Sequence, residues 1–264
     1  MKQYALITGA SKGIGLEIAK LFAKDGYPLI IIARSTSLLE QLKKEVEEEY
    51  HIVVKVISKD LSQPLASKEI YDEVKKENLQ VDYLINNAGF GDYGLFLDAD
   101  MDKHTQMIHL NITSFIQLCY YFGNDMRERG FGKIMNLGSI ASFFPGPLMA
   151  TYYATKSFVL SFSEALQKEL EHSGVSVTAL CPGTTATNFF DNANATTDKT
   201  NLLKHMHPAN PSDVAKYGYK KMMKGKAVAI YGAKNRTAIF MNRFISRKLS
   251  RNIVFKIQNR RKDQ

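Results

Sequence analysis

The sequence predicts an α/β fold of the doubly wound type: a seven-stranded parallel sheet flanked by helices on both faces, followed by a basic C-terminal extension. Two observations carry this. Short runs rich in Ile and Val, without polar alternation, recur along the chain and read as strands buried on both faces. Between them lie longer segments with apolar residues at helical spacing. The length of 264 residues suits one domain of this class, and 45% hydrophobic with 23% charged residues excludes a disordered or fibrous chain.

The elements follow in order. Residues 4–8 form the first strand, and 14–24 a helix with Ile14, Ile18, Leu21 and Phe22 on one side. Residues 29–33 are the second strand. Residues 38–50 are a charged helix with a narrow apolar stripe at Leu38, Leu42 and Val46. A third strand (52–57), a helix (66–76) and a fourth strand (81–86) follow. Residues 101–126 read as one long helix with Met107, Phe115, Leu118 and Phe122 on its buried face. Then come a fifth strand (132–137), a helix (151–171) and a sixth strand (175–180). After an irregular Asn/Thr-rich stretch, 211–223 read as a helix and 227–231 as a seventh strand. No repeat and no Pro/Gly/Ser linker divides the chain, so 1–233 is one domain and 234–264 an extension.

The longest apolar run, 29–33, is far shorter than the roughly 18 residues that span a bilayer. No secretory signal follows Met1-Lys2. Two cysteines, Cys119 and Cys181, make no disulfide framework, so a reducing cytoplasmic compartment is expected. The formal charge is +9. Residues 234–264 hold ten basic residues against one acid, Asp263, and account for all of it; the body is neutral. Among these cations lie Ile239, Phe240, Phe244, Ile245, Leu249, Ile253, Val254, Phe255 and Ile257. Such a segment suits basic amphipathic helices on an anionic membrane surface, making the protein membrane-peripheral. A second subunit, an acidic acyl carrier or coenzyme A group, and the protein's own body are open alternatives. No nucleic-acid motif is present.

The first strand runs into Thr8-Gly9-Ala10-Ser11-Lys12-Gly13-Ile14-Gly15, where a helix begins. Glycines at such a turn permit left-handed backbone and let main-chain N–H groups approach a phosphate. Tyr152 and Lys156 are four apart on a helix, hence on one face. A free phenol titrates near 10, and a neighbouring ammonium favours the phenolate. Tyr152 then serves as general acid or base. Tyr153 has Ser157, not a lysine, at the matching position. Asn111 interrupts the apolar stripe between Met107 and Phe115 and needs partners for its amide. A helix distortion there would free a carbonyl.

The spacing T-G-x-x-x-G-x-G resembles the loop of the short-chain dehydrogenase/reductase family, and the resemblance continues to about Thr187. It implies a Rossmann-type fold, with Gly9, Ser11, Lys12, Gly13, Ile14 and Gly15 at the cofactor pyrophosphate. Asp60-Leu61 resembles the family's adenine-contacting pair, although a helix cap is an equal reading of Asp60. Asn86-Asn87-Ala88-Gly89 resembles its N-N-A-G motif: Asn87, Ala88 and Gly89 would line the cofactor and Asn86 brace the sheet. Where NAD-preferring members carry an acid, this chain has Ala33 followed by Arg34. With Lys12, Arg34 would meet a 2′-phosphate, so NADP(H) is expected over NAD(H).

Ser139 precedes Tyr152 by the family's spacing, so the resemblance assigns Ser139 to hold the substrate oxygen and Lys156 to the nicotinamide ribose. It assigns Asn111 to a water that links Lys156 to solvent. Cys181-Pro182-Gly183-Thr184-Thr185-Ala186-Thr187 resembles the segment beside the nicotinamide, so Pro182, Gly183, Thr185 and Thr187 join the cofactor set. Thr185 stands where a β-branched aliphatic residue is commoner. Cys181 reads as a packing residue. The resemblance also implies a homo-oligomer, dimer or tetramer, built partly on the helix at 151–171.

No metal set emerges; His205-Met206-His207 reads as a polar loop. Substrate contacts are expected around 91–96, 141–149 and 184–206. Tyr93, Leu95, Phe96, Phe143, Phe144, Leu148, Met149, Phe189 and Phe190 there suit an apolar carbonyl or alcohol, although lid packing would use the same residues. Residues 192–200 read as a mobile loop. The expected activity is NADP(H)-dependent interconversion of a ketone or aldehyde with an alcohol. The alternative is a nucleotide-binding regulatory or scaffold protein of the same fold without turnover.

Overall fold

The computed structural model describes residues 3–187, 189, 193 and 208–259. Its sheet has seven strands: β1 Gln3–Thr8, β2 Leu29–Ala33, β3 Val54–Ser58, β4 Gln80–Asn86, β5 Gly132–Leu137, β6 Val175–Cys181 and β7 Val228–Ile230. All neighbours are parallel, in the order β3-β2-β1-β4-β5-β6-β7. The chain winds outward from β1 to β3, returns to β4 beside β1, and winds outward the other way. The switch point therefore lies between β1 and β4, and a crevice opens there beyond the carboxyl ends of the strands.

Nine α-helices among the described residues join these strands: α1 Gly13–Lys24, α2 Thr36–Tyr50, α3 Ala66–Lys76, α4 Met101–Ile108, α5 Phe115–Arg129, α6 Ala150–Glu169, α7 Pro211–Met223, α8 Ala233–Asn242 and α9 Arg247–Gln258. The strands lack polar alternation because each feeds two apolar layers. In β2, Leu29 and Ile31 pack with Ile18 and Phe22 of α1, Leu39 of α2 and Val214 of α7. Ile30 and Ile32 enter the other layer with Ile70 of α3, Phe122 of α5 and Val159 of α6. Burying each such side chain stabilises the fold by about 1.5–3 kcal/mol, so a polar residue at any β2 position would cost one layer or the other.

The structure corrects the reading of one helix over 101–126. A π-helical turn, His109–Ser114, separates α4 from α5. Polar side chains inside the turn explain it. Asn111 Nδ2 donates to the Phe90 carbonyl at 2.9 Å and to Thr155 Oγ1 at 3.1 Å, while its Oδ1 accepts from Phe90 N–H at 3.2 Å. Ser114 Oγ donates to the Leu61 carbonyl, and the Ser114 carbonyl accepts from Ser67 Oγ at 3.3 Å. The apolar pattern hides the interruption because Met107, Phe115, Leu118 and Phe122 are all buried across it. A smaller correction falls in α2, which starts at Thr36 and buries Leu39 rather than Leu38.

Candidate active site

The glycine loop joins β1 to α1 at the switch point. Gly9 and Gly13 have φ of +66° and +59°, in the left-handed region that a side chain disfavours. Gly15 packs so closely that an added Cβ would stand 2.4 Å from the Gly9 carbonyl. Asn87 Nδ2 donates to the carbonyls of Thr8 and Gly9 at 2.9 and 3.1 Å, and Thr8 Oγ1 accepts from the N–H groups of Asn87 and Ala88, each at 3.0 Å. These bonds lock the loop to the end of β4. Asn86 points the other way and donates to Asn136 Oδ1 at 3.0 Å, inside the sheet. Lys12 sits extended at the N-cap of α1, no side chain caps the helix, and no acid occupies its first turn. The helix start therefore offers free N–H donors and its positive dipole end.

A cavity of about 960 Å³ runs from this loop across the strand ends. Every residue expected to bind a cofactor lines it: Gly9, Ser11, Lys12, Gly13, Ile14, Arg34, Asp60, Leu61, Asn87, Ala88, Gly89, Tyr152, Lys156, Pro182, Gly183, Thr185 and Thr187 do so, with the exception of Gly15, which lies behind the loop. The segment after β6 forms the facing wall: Thr187 Cγ2 would stand 2.8 Å from a Cβ at Gly13. Asp60 Oδ1 accepts from Ser62 N–H and Ser62 Oγ at 2.9 and 2.8 Å, a turn ahead of α3 rather than a cap on it. Arg34 and Lys12 are exposed at the rim. A site with free helix-end donors, positive-φ glycines and two rim cations fits a phosphorylated dinucleotide.

At the other end of the cavity α6 presents Tyr152 and Lys156 on one face. Tyr152 is half-buried in the crevice wall with Ser139 beside its hydroxyl; desolvation raises its pKa and the serine opposes the rise. Lys156 Nζ donates to the Leu137 carbonyl at 2.7 Å and lies 5.8 Å from the Tyr152 ring centroid. Burial lowers the Lys156 pKa to about 8. The expectation that this ammonium makes the phenol acidic is thus corrected for the protein alone. Desolvation dominates, and the phenol keeps its proton. The hydroxyl of Tyr153 is taken by Gln258 Nε2 at 2.6 Å.

Asn111 bonds Phe90 and Thr155 rather than Lys156. Asn111 and Lys156 nevertheless close on one point: a Cβ at Gly89 would stand 3.0 Å from Asn111 Oδ1 and 3.5 Å from Lys156 Nζ. Both residues also line a cavity of about 10 Å³, room for one water molecule. Burial pushes the Cys181 thiol up to about 12, so it stays protonated and serves as packing.

Several site features have no signal in the sequence. Lys59, Ser62, Asp100, Lys103 and Gln106 line the large cavity. Gly91 lies so close to the phenol that a Cβ would stand 3.2 Å from Tyr152 Cδ2 and 2.8 Å from Phe189 Cζ. Of the expected substrate contacts, Met149 and Phe189 line the cavity, whereas Leu95 and Phe96 are exposed outside it. Phe190, residues 192 and 194–200, and His205, Met206 and His207 lie outside the described residues. Among the described residues no cluster of His, Cys, Asp and Glu could hold a metal.

Fold and site together define a doubly wound α/β protein with a nucleotide-sized crevice and a Ser–Tyr–Lys constellation at one end. The chain belongs to the short chain dehydrogenase family, whose model matches residues 3–198. It is 36% identical over 192 residues to the very-long-chain 3-oxoacyl-CoA reductase of Anas platyrhynchos, covering 70% of this chain and 60% of that protein. It is 35% identical over 187 residues to human 17-beta-hydroxysteroid dehydrogenase type 3, covering 69% of this chain and 59% of that one. The chain thus spans about three fifths of the length of these curated relatives. Its structure resembles a short-chain dehydrogenase from Sphingobium yanoikuyae in complex with NADPH, with a TM-score of 0.81, 27% identity and 99% of each chain covered.

Proposed function

We propose that this protein is an NADP(H)-dependent oxidoreductase that interconverts an apolar ketone or aldehyde with its alcohol, with Tyr152 as general acid and base. The observation that carries this is the half-buried Tyr152 phenol, with Ser139 beside its hydroxyl, lining the end of a crevice that starts on an uncapped helix. Bound NADPH would supply the hydride. Gly9 to Ile14 would hold its pyrophosphate, and Arg34 and Lys12 its 2′-phosphate. Ser139 would donate to the substrate oxygen and hold it beside Tyr152. Tyr152 would give its proton to that oxygen as the carbon is reduced. A phenol kept protonated by burial suits that donor role. Lys156, near its pKa of about 8, holds its proton at neutral pH and orients α6 through Leu137.

The relatives support the substrate class. The very long acyl chain of a 3-oxoacyl-CoA and the ring system of a 17-hydroxysteroid are both apolar bodies that carry a carbonyl/alcohol pair. Met149, Tyr152, Tyr153 and Phe189 supply an apolar wall where such a substrate would lie. The deciding experiment is a panel of ketones, aldehydes and 3-oxoacyl thioesters assayed with NADPH and NADH side by side. NADPH oxidation with apolar ketones is the expected result. Tight NADPH binding with no turnover across the panel would instead indicate a non-catalytic nucleotide-binding protein.

A further inference from the structure

Helix α9 is amphipathic in the opposite sense to a helix packed on its own body. The seam it turns inward is Ser250, Val254 and Gln258, two of the three polar. The seam one residue earlier, Leu249, Ile253 and Ile257, has the same i, i+4, i+8 spacing and is 43–48% exposed. Phe255 is exposed as well, and so are Phe240, Met241 and Phe244 on α8 and the link between the helices. None of these side chains lines the crevice. The hydrophobic effect should turn Leu and Ile inward on an isolated surface helix. An outward apolar seam of this length marks a surface that something covers.

The charge around the seam selects what covers it. Arg236, Arg243, Arg247, Lys248, Arg251 and Lys256 are all exposed, and no acid occurs anywhere from 234 to 259. A second copy of this chain would bring the same cations face to face across a two-fold axis, which repels. An anionic covering is required. The apolar groups stand out along two successive helices instead of lining a groove for a partner's side chain. That geometry fits a fluid surface into which they sink while the cations stay at headgroup depth.

The helices are also fastened to the catalytic end of the molecule. Asn242 Nδ2 donates to the Phe143 carbonyl at 3.1 Å, just beyond Ser139. Tyr93 Oη donates to the Gln258 carbonyl at 2.9 Å, and Gln258 Nε2 reaches the hydroxyl of Tyr153, the neighbour of Tyr152. Leu95, Phe96, Leu97 and Met101 follow Tyr93 closely in the chain and are exposed in turn, Leu97 to 91%.

We propose that α8 and α9 form a docking surface for an anionic lipid bilayer: the Leu249–Ile253–Ile257 seam inserts into the interface and the surrounding cations meet lipid phosphates.

The test is sedimentation of the full chain with vesicles of phosphatidylcholine alone or mixed with phosphatidylglycerol. Binding is expected to the anionic vesicles only and to weaken with salt. The triple variant K248E/R251E/K256E should bind at least about a hundredfold more weakly, at roughly fivefold per cation. I253S/I257S, with its charge unchanged, should also lose binding. Fluorescence titration with NADPH, independent of vesicles, shows that each variant is folded and keeps its crevice. It also separates failure here from failure of the enzymatic reading. The proposal is overturned by absence of anionic binding, by equal binding to neutral vesicles, or by variants that bind as the wild type does. It is equally overturned if, without vesicles, light scattering shows the wild type as an oligomer that I253S/I257S dissociates, because a second copy would then cover the seam.

Discussion

Lys156 Nζ donates to the carbonyl of Leu137, the last residue of β5, at 2.7 Å, so the helix that carries Tyr152 is bonded at its fourth following residue to the strand that delivers Ser139. One lysine thereby sets the relative position of the two groups that flank a substrate oxygen. The phenol itself takes no bond from this ammonium. Ser139 is the group beside its hydroxyl.

Tyr152→Phe removes the proton donor and keeps the ring that packs on Phe189, with centroids 5.0 Å apart. NADPH affinity should be unchanged and turnover should fall by roughly 10²–10⁴-fold, the usual worth of a positioned general acid. Tyr153→Phe should leave turnover within a few-fold, because that hydroxyl is engaged by Gln258. Steady-state NADPH oxidation and a fluorescence titration decide both. Wild-type turnover in the first variant would remove Tyr152 from the chemistry.

Burial holds Lys156 at about 8, below its ordinary 10.5. Below pH 8 the lysine is charged in both the folded and unfolded chain, so the folded state bears the full desolvation penalty there. As pH rises from about 8 towards 10.5 the folded lysine is neutral while the unfolded one still binds a proton. The penalty is then relieved, and stability rises with pH in that window. Lys156→Met lacks this dependence. Relative to the wild type, the variant should lose about 2 kcal/mol between pH 8 and pH 10. Urea unfolding at the two pH values measures it, and parallel curves would contradict the burial argument.

Arg34 is exposed at the rim of the crevice, next to Ala33 at the end of β2. Arg34→Asp replaces a cation suited to a 2′-phosphate with a repelling carboxylate. The KM for NADPH should rise roughly ten- to a hundredfold, with that for NADH changed little or lowered. An unaltered ratio of kcat/KM for the two cofactors would show that Arg34 does not meet the phosphate.

Gly91→Ala tests the packing behind the phenol. The new methyl would stand 2.8 Å from Phe189 Cζ, 3.2 Å from Tyr152 Cδ2 and 3.3 Å from Met149 Cε, so one of the rings must shift. Gly91 is outside the lining of the crevice, so NADPH binding should hold. Displacement of a catalytic group by about 1 Å can cost ~10²-fold in rate, and a fall in kcat towards that size is expected. Full activity would mean that Phe189 alone yields.

Much of the fold is legible in the sequence because a doubly covered parallel sheet leaves a strong local trace. Leu29-Ile30-Ile31-Ile32 is apolar at every position since each residue enters one of two buried layers. The glycine loop is legible for a similar reason: Gly9 and Gly13 need backbone angles that other residues resist. Of the π turn at His109–Ser114 only a distortion at Asn111 was legible. The turn itself depends on Asn111 meeting Phe90 and Thr155, residues 21 and 44 positions away, which no local pattern encodes.

Residue type and spacing alone determined the strand and helix succession, the phosphate-ready turn and the pairing of Tyr152 with Lys156, because those features rest on interactions within a few residues of chain. Only the tertiary structure decided that desolvation outweighs the lysine at the Tyr152 phenol, that Gln258 occupies Tyr153, and that α9 turns Ser250 and Gln258 inward and its Leu/Ile seam outward. Desolvation and seam choice depend on what packs against a side chain from distant parts of the chain, and periodicity shows that a helix has two faces without showing which one the body covers.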